Sequence, residues 1–145
     1  MKPSILQLEE YFFTETKISL SRFFKPDKEI QISAEQIDCQ IKSGYIKEKD
    51  FYFIELVFKL DAAKHRKINI PYNISLSIAG KVSVSPDYKE DKEQIAVING
   101  ASLLYSAVRE HLLYLTSRYP FGSIIIPTVN FNGLRKNPIL QSKKN

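Results

Sequence analysis

Tryptophan is absent, and the 145 residues hold one cysteine, one methionine, two histidines and five glycines. Each scarcity excludes something. A single cysteine, Cys39, cannot close an internal disulfide. His65 and His111 lie far apart, so no histidine–cysteine cluster has the spacing of a zinc site. The glycines form no phosphate-cradling loop, and neither a G-x-S-x-G elbow nor a paired-histidine helix occurs. No long apolar run of membrane-spanning length is present. Residues 1–10 are interrupted by Glu9 and Glu10 too early for a signal peptide. The expectation is a cytoplasmic, non-catalytic protein without metal or cofactor and without a membrane partner. Cys39 alternates with Ile37 and Ile41, which suits a core thiol better than a nucleophile.

What is present is ordinary for a folded domain: 43% hydrophobic and 26% charged residues. The net charge of +5 is unevenly spread. The last 14 residues carry Arg135, Lys136, Lys143 and Lys144 and no acid, which leaves 17 bases against 16 acids in residues 1–131. The expected organisation is one domain, 1–131, followed by a basic tail, 132–145. The tail is either solubilising or a contact for an acidic partner. A nearly neutral body argues against direct nucleic-acid binding.

Period-two alternation marks four strands. Residues 11–20 place Phe12, Thr14, Thr16, Ile18 and Leu20 on one side. Residues 30–41 change phase, and a β-bulge near Glu35 would repair the slip. Residues 51–60 put Tyr52, Ile54, Leu56, Phe58 and Leu60 together, and residues 68–84 alternate most clearly of all. Short polar loops at 42–50 and 61–67 suit hairpins, so the economical topology is a four-stranded antiparallel meander. A helix over 101–119, capped by Asn99, carries Leu104, Val108, Leu112 and Leu115 at helical spacing. A short helix over 91–98 precedes it. The class is therefore α+β.

The helix is apolar on more than one side, since Leu103, Ala107 and Tyr114 lie off the main stripe. A helix on one sheet needs one stripe, so a second partner is expected and the chain reads as a homo-oligomer. Arg109, Glu110 and Arg118 interrupt the helix and could set register at a subunit seam.

Ser77-Ile78-Ala79-Gly80 closes the long strand, and Glu93-Gln94, Leu104-Tyr105 and Arg109-Glu110 follow. Ser117-Arg118 comes before Phe121, and Pro127, Asn130 and Phe131 complete the pattern. This succession, over about residues 74–131, resembles the SecB family of export chaperones. The resemblance implies a SecB-like sheet with a long C-terminal helix, assembled as a dimer of dimers with the helix at the tetramer's centre. It also implies ATP-independent holding of non-native polypeptides. Client contact is expected from Phe12, Phe23, Phe24, Ile124, Ile126 and Phe131. The tetramer seam is expected at Leu104, Tyr105, Val108, Leu112 and Leu115.

Secretion SecB proteins are acidic and carry a longer second helix after the Asn-Phe pair. Here Asn132-Gly133 follows at once, Pro138 interrupts, and the end is basic. Both departures argue against handover of preproteins to SecA. They look more like the SecB-like chaperones of toxin–antitoxin systems, whose client is an antitoxin. The rival expectation is a non-catalytic adaptor that binds one specific folded protein.

Overall fold

The structure of the chain, a computed structural model, describes residues 1–136 and 143–144. Strands form where apolar and polar residues alternate: β1 (Leu6–Leu20), β2 (Ile37–Ile46), β3 (Phe51–Leu60) and β4 (Tyr72–Val84). These four are antiparallel, and β5 (Lys143–Lys144) joins β2 in parallel at Gly44 and Tyr45. The order is β1-β4-β3-β2-β5.

This order corrects the meander. Strands β2, β3 and β4 do follow one another as hairpins, but β1 lies beside β4, in the manner of a Greek key. Length explains the choice, because the 15-residue β1 can pair along all 13 residues of β4. Residues 21–36 then carry the chain across about three strand spacings, roughly 14 Å, to start β2. No bulge occurs near Glu35. A 3-10 turn, Ala34–Gln36, precedes β2, closed by Gln36 Oε1 accepting from the backbone N–H of Ser33 at 2.7 Å. The phase slip marks the end of that turn.

The irregularities lie instead in β1, between Leu8 and Glu10 and between Phe13 and Glu15. Each shifts the alternation by one residue. Leu6, Leu8, Tyr11, Phe13, Thr16, Ile18 and Leu20 therefore sit opposite the helix-facing or neighbouring positions Val84, Val82, Gly80, Ile78, Leu76, Ile74 and Tyr72. Phe12 pairs with Ala79 on the other face. The expected grouping of Phe12 with Ile18 and Leu20 is thus split by the second bulge.

One helix, α1 (Lys92–Thr116), replaces the two that were expected. Asp91 caps it by accepting from the backbone N–H of Gln94 at 3.0 Å. Asn99 lies inside the helix and is exposed. Gly100 does not break the helix, because it lies against the sheet. A Cβ there would meet Ile54 at 3.2 Å and Val82 at 3.3 Å. Leu104, Val108 and Leu112 follow on the same side and are fully buried among Ile54, Leu56, Phe58, Leu76 and Ile78. Tyr105 is buried as well, and Leu115 is half-buried.

After α1 the chain turns through Gly122, at φ +83, and runs back along the helix. Thr116 Oγ1 accepts from the N–H of Ile124 at 3.0 Å. Arg109 Nε donates to the carbonyl of Ile126 at 3.0 Å, and the Tyr105 hydroxyl donates to that of Pro127 at 2.6 Å. These bonds turn Ile124, Ile126 and Phe131 into the core and leave Ile125 outside. Arg109 thus pins this segment within the chain. A 3-10 turn, Asn132–Lys136, opens the expected tail. Residues 137–142 and 145 of that tail, with Pro138, lie outside the described residues.

The tightest contact between helix and sheet is at Gly80, where a Cβ would stand 2.8 Å from Leu104 and 3.1 Å from Leu8. Leu104 is fully buried and has nowhere to swing. Gly80→Val is expected to destabilise the fold by about 2 kcal/mol, the scale of overpacking in a close-packed core. Gly133→Val, where a Cβ meets nothing within 4 Å, is expected to be close to neutral. Urea midpoints of the two variants check the contrast, and equal midpoints would contradict it.

Candidate binding surfaces

Burying Leu104, Val108 and Leu112 turns the opposite side of α1 outward. Leu103, Ala107 and Tyr114 lie there, and Tyr114 is 65% exposed. Beside them, β1 contributes Leu8, Tyr11 and Phe13, so helix and strand form the walls of one shallow apolar groove of ≈ 560 Å³. His111 lies in that groove with its ring stacked on Phe13, centroids 3.8 Å apart, and Nε2 3.3 Å from Thr16 Oγ1. Glu110 is the one carboxylate lining it.

A second apolar area occupies the sheet face away from α1. Phe12, 52% exposed, stands over Ala79, and Phe53 stands opposite Lys81. Lys81 lies over the ring of Phe51, with Nζ 4.5 Å from its centroid. The β1 edge beyond this face has no strand partner among the described residues. Its backbone groups can accept an added strand.

The residues expected at a client surface fall into two groups. Phe12 and Phe23 are exposed, and Phe24 is half-buried against Phe121, ring centroids 4.5 Å apart. Ile124, Ile126 and Phe131 are buried within the chain. The stripe expected at the subunit seam is similarly divided. Leu104, Tyr105, Val108 and Leu112 face this chain's own sheet, and Leu115 keeps part of its surface. Exposed Tyr11, Phe53 and Ile125 were absent from the expected set. Ile125 stands between two buried isoleucines, and which of the three faced inward was not legible in the sequence.

The titratable groups in the core are quiet. Burial, with Asp38 adding to it, pushes the Cys39 thiol up to about 12, so the thiol stays protonated. Burial also raises Tyr105, which keeps its proton for Pro127. Among the described residues no group of three or more His, Cys, Asp or Glu could hold a metal ion. Nor is any helix among them long and apolar enough to cross a membrane.

The architecture defines a SecB-like fold: a four-stranded antiparallel sheet covered on one face by a long C-terminal helix. Solved structures that share it include the following two. Mycobacterium tuberculosis Rv1957, a SecB-like chaperone in complex with a ChAD peptide from the Rv1956 HigA1 antitoxin, matches with TM-score 0.63 at 13% identity. The match covers 86% of this chain and 90% of that one. A protein of unknown function from Streptococcus agalactiae matches with TM-score 0.54 at 12% identity, over 84% and 96% of the two chains. No protein-family model and no curated protein matches the sequence.

Burial against Phe13 lowers the pKa of His111 from its ordinary 6.5. The folded chain therefore prefers the neutral ring, and its stabilising effect is complete above 6.5. It is lost as pH falls through the lowered folded value, where the unfolded chain binds the proton more readily. His111→Phe keeps the stacking and removes the titration. Its urea midpoint is expected to fall less than the wild type's between pH 7 and pH 5, and an equal fall would contradict the assignment.

Proposed function

We propose that the chain is an ATP-independent, non-enzymatic holdase that binds non-native polypeptides, working in the cytoplasm as a homotetramer built as a dimer of dimers. The observation that carries this reading is the pair of exposed apolar surfaces on a SecB-like fold. Single exposed apolar residues are normal on soluble proteins, but grouped ones mark contact surfaces. Here the groove between β1 and α1 gathers Tyr11, Phe13, Leu103, Ala107 and Tyr114.

The two surfaces divide the work. The outward side of α1, with Leu103, Ala107, Tyr114 and the remaining part of Leu115, is the seam between subunits. The buried stripe Leu104, Tyr105, Val108 and Leu112 supports it from beneath. Client segments lie on Phe12, Phe23 and Phe24 and pair with the open edge of β1. In that arrangement Ile124, Ile126 and Phe131 hold the return segment in place and do not touch the client. Extended apolar segments gain affinity from such a surface without sequence-specific contacts, because backbone pairing at an edge is the same for every client.

An aggregation-prone antitoxin is the favoured client, ahead of preproteins for export. The fold is shared with a chaperone bound to an antitoxin peptide. The basic end of the chain lacks the acidic character that engages SecA.

Light scattering tests the assembly. The wild type is expected at roughly four times the 16.7 kDa chain mass. Tyr114→Glu is expected to reduce this to about half while the circular dichroism spectrum stays unchanged. Phe12→Ser is expected to keep the mass and weaken suppression of aggregation of a denatured model substrate, without ATP in either case. A folded monomer that suppresses no aggregation would sink the proposal and favour an adaptor for one folded partner.

A further inference from the structure

The end of the sheet where β1 and β3 finish and β4 begins carries a second, chemically different concavity. Its volume is ≈ 430 Å³, and Phe23, Lys25, Lys28, Arg66 and Lys67 line it together with Glu29. Four cations and one carboxylate meet there, in a chain whose residues 1–131 are otherwise nearly balanced in charge. Among the described residues none of the four cations makes an ion pair.

The concavity is held in shape from below. Asn69 is 9% exposed, and its side chain accepts from the N–H of Lys25 at 2.8 Å. Its amide nitrogen reaches the carbonyls of Lys25, Lys28 and Glu29 at 3.0 to 3.1 Å. The backbone adds Gln31 N–H to Asn69 O at 3.0 Å and Ser21 N–H to Pro71 O at 2.9 Å. The segment carrying Lys25 and Lys28 is thus strapped to the segment that carries Arg66 and Lys67. Arg66 is also held, with its guanidinium carbon 4.3 Å from the centroid of the Phe23 ring. Fixing two cationic loops side by side costs repulsion, which an anionic partner would relieve.

We infer that this concavity docks an acidic, extended segment of a partner polypeptide. Carboxylates of such a segment pair with Lys25, Lys28, Arg66 and Lys67, and an apolar side chain between them rests on Phe23. A nucleic acid fits less well, because Glu29 stands among the cations and would repel a continuous row of phosphates. The inference rests on the cations and their straps and not on the holdase reading: the concavity shares no residue with the groove between β1 and α1 and meets the proposed client surface only at Phe23.

The test is fluorescence anisotropy with the full chain and a labelled peptide of Asp and Glu residues around a central Phe. Binding is expected, and it should weaken as salt is raised. Lys25→Glu and Arg66→Glu, both on exposed side chains, are each expected to weaken it about ten-fold. Lys89→Glu, at the opposite end of the sheet, should leave it unchanged, as should Tyr114→Glu. Equal weakening by Lys89→Glu, no effect of either reversal, or no binding of the peptide would each overturn the inference. So would tighter binding of a single-stranded oligonucleotide of matched charge that the same two reversals abolish. Loss of aggregation suppression with peptide binding intact would count against the holdase reading alone.

Discussion

The rest of the molecule depends on how closely α1 approaches the sheet. Gly100 lets the helix backbone come down onto Ile54 and Val82, and Gly80 opens the notch that Leu104 fills. A side chain at either position would push the helix away from the strands. With the helix this close, Leu104, Val108 and Leu112 bury completely, while Leu103 and Tyr114 on the outward side stay exposed beside β1. The return segment cannot cover that side, because Thr116, Arg109 and Tyr105 hold it elsewhere along α1. The outward apolar surface is therefore a consequence of the tight packing beneath it.

Alternation made β3 and β4 legible in the sequence, and of the residues grouped on one side of β3, Ile54, Leu56, Phe58 and Leu60 are buried. It failed for β1 because Tyr11, Phe12 and Phe13 are consecutive aromatics, so neither parity stands out. Two bulges then switch the inward face, and bulges leave no compositional mark when the residues around them are mixed. The helix start was misplaced for a related reason. Asn99-Gly100 has the local chemistry of a cap and a break, yet the glycine serves a tertiary contact that no local pattern reveals. Asp91 performs the capping one full segment earlier.

The candidate surfaces were legible only in part, and the division has a physical cause. That α1 is apolar on two sides could be counted from the sequence. Which side faced the sheet could not, since Leu104 and Leu103 are equally apolar and adjacent. Glycine opposite Leu104 settles it in the structure. Ile124, Ile125 and Ile126 posed the same problem over a shorter stretch. Their orientation is fixed by hydrogen bonds with Thr116, which accepts from Ile124, and with Arg109, which donates to Ile126, contacts that no local pattern in the sequence reveals. The concavity around Lys25 and Arg66 was hidden for another reason. Its two halves are separated along the chain and meet because β1 crosses to β4, which brings residue 21 beside residue 71.

The same strand placement bears on how an assembly and a client could occupy one small domain. Had β1 paired with β2 in a meander, its aromatics would have stood far from α1. Beside β4, its bulged alternation sends Tyr11 and Phe13 toward the helix side and Phe12 toward the other. One strand thus supplies apolar side chains to both faces of the sheet. A subunit contact made through α1, as proposed, would cover Tyr11 and Phe13 and leave Phe12 and the β1 edge open. Self-association and client binding would then draw on opposite faces of one strand, so the first would not consume the surface required by the second. Ordinary alternation already divides the three consecutive aromatics between the two faces, and the bulge between Leu8 and Glu10 decides that Tyr11 and Phe13, not Phe12, take the helix side.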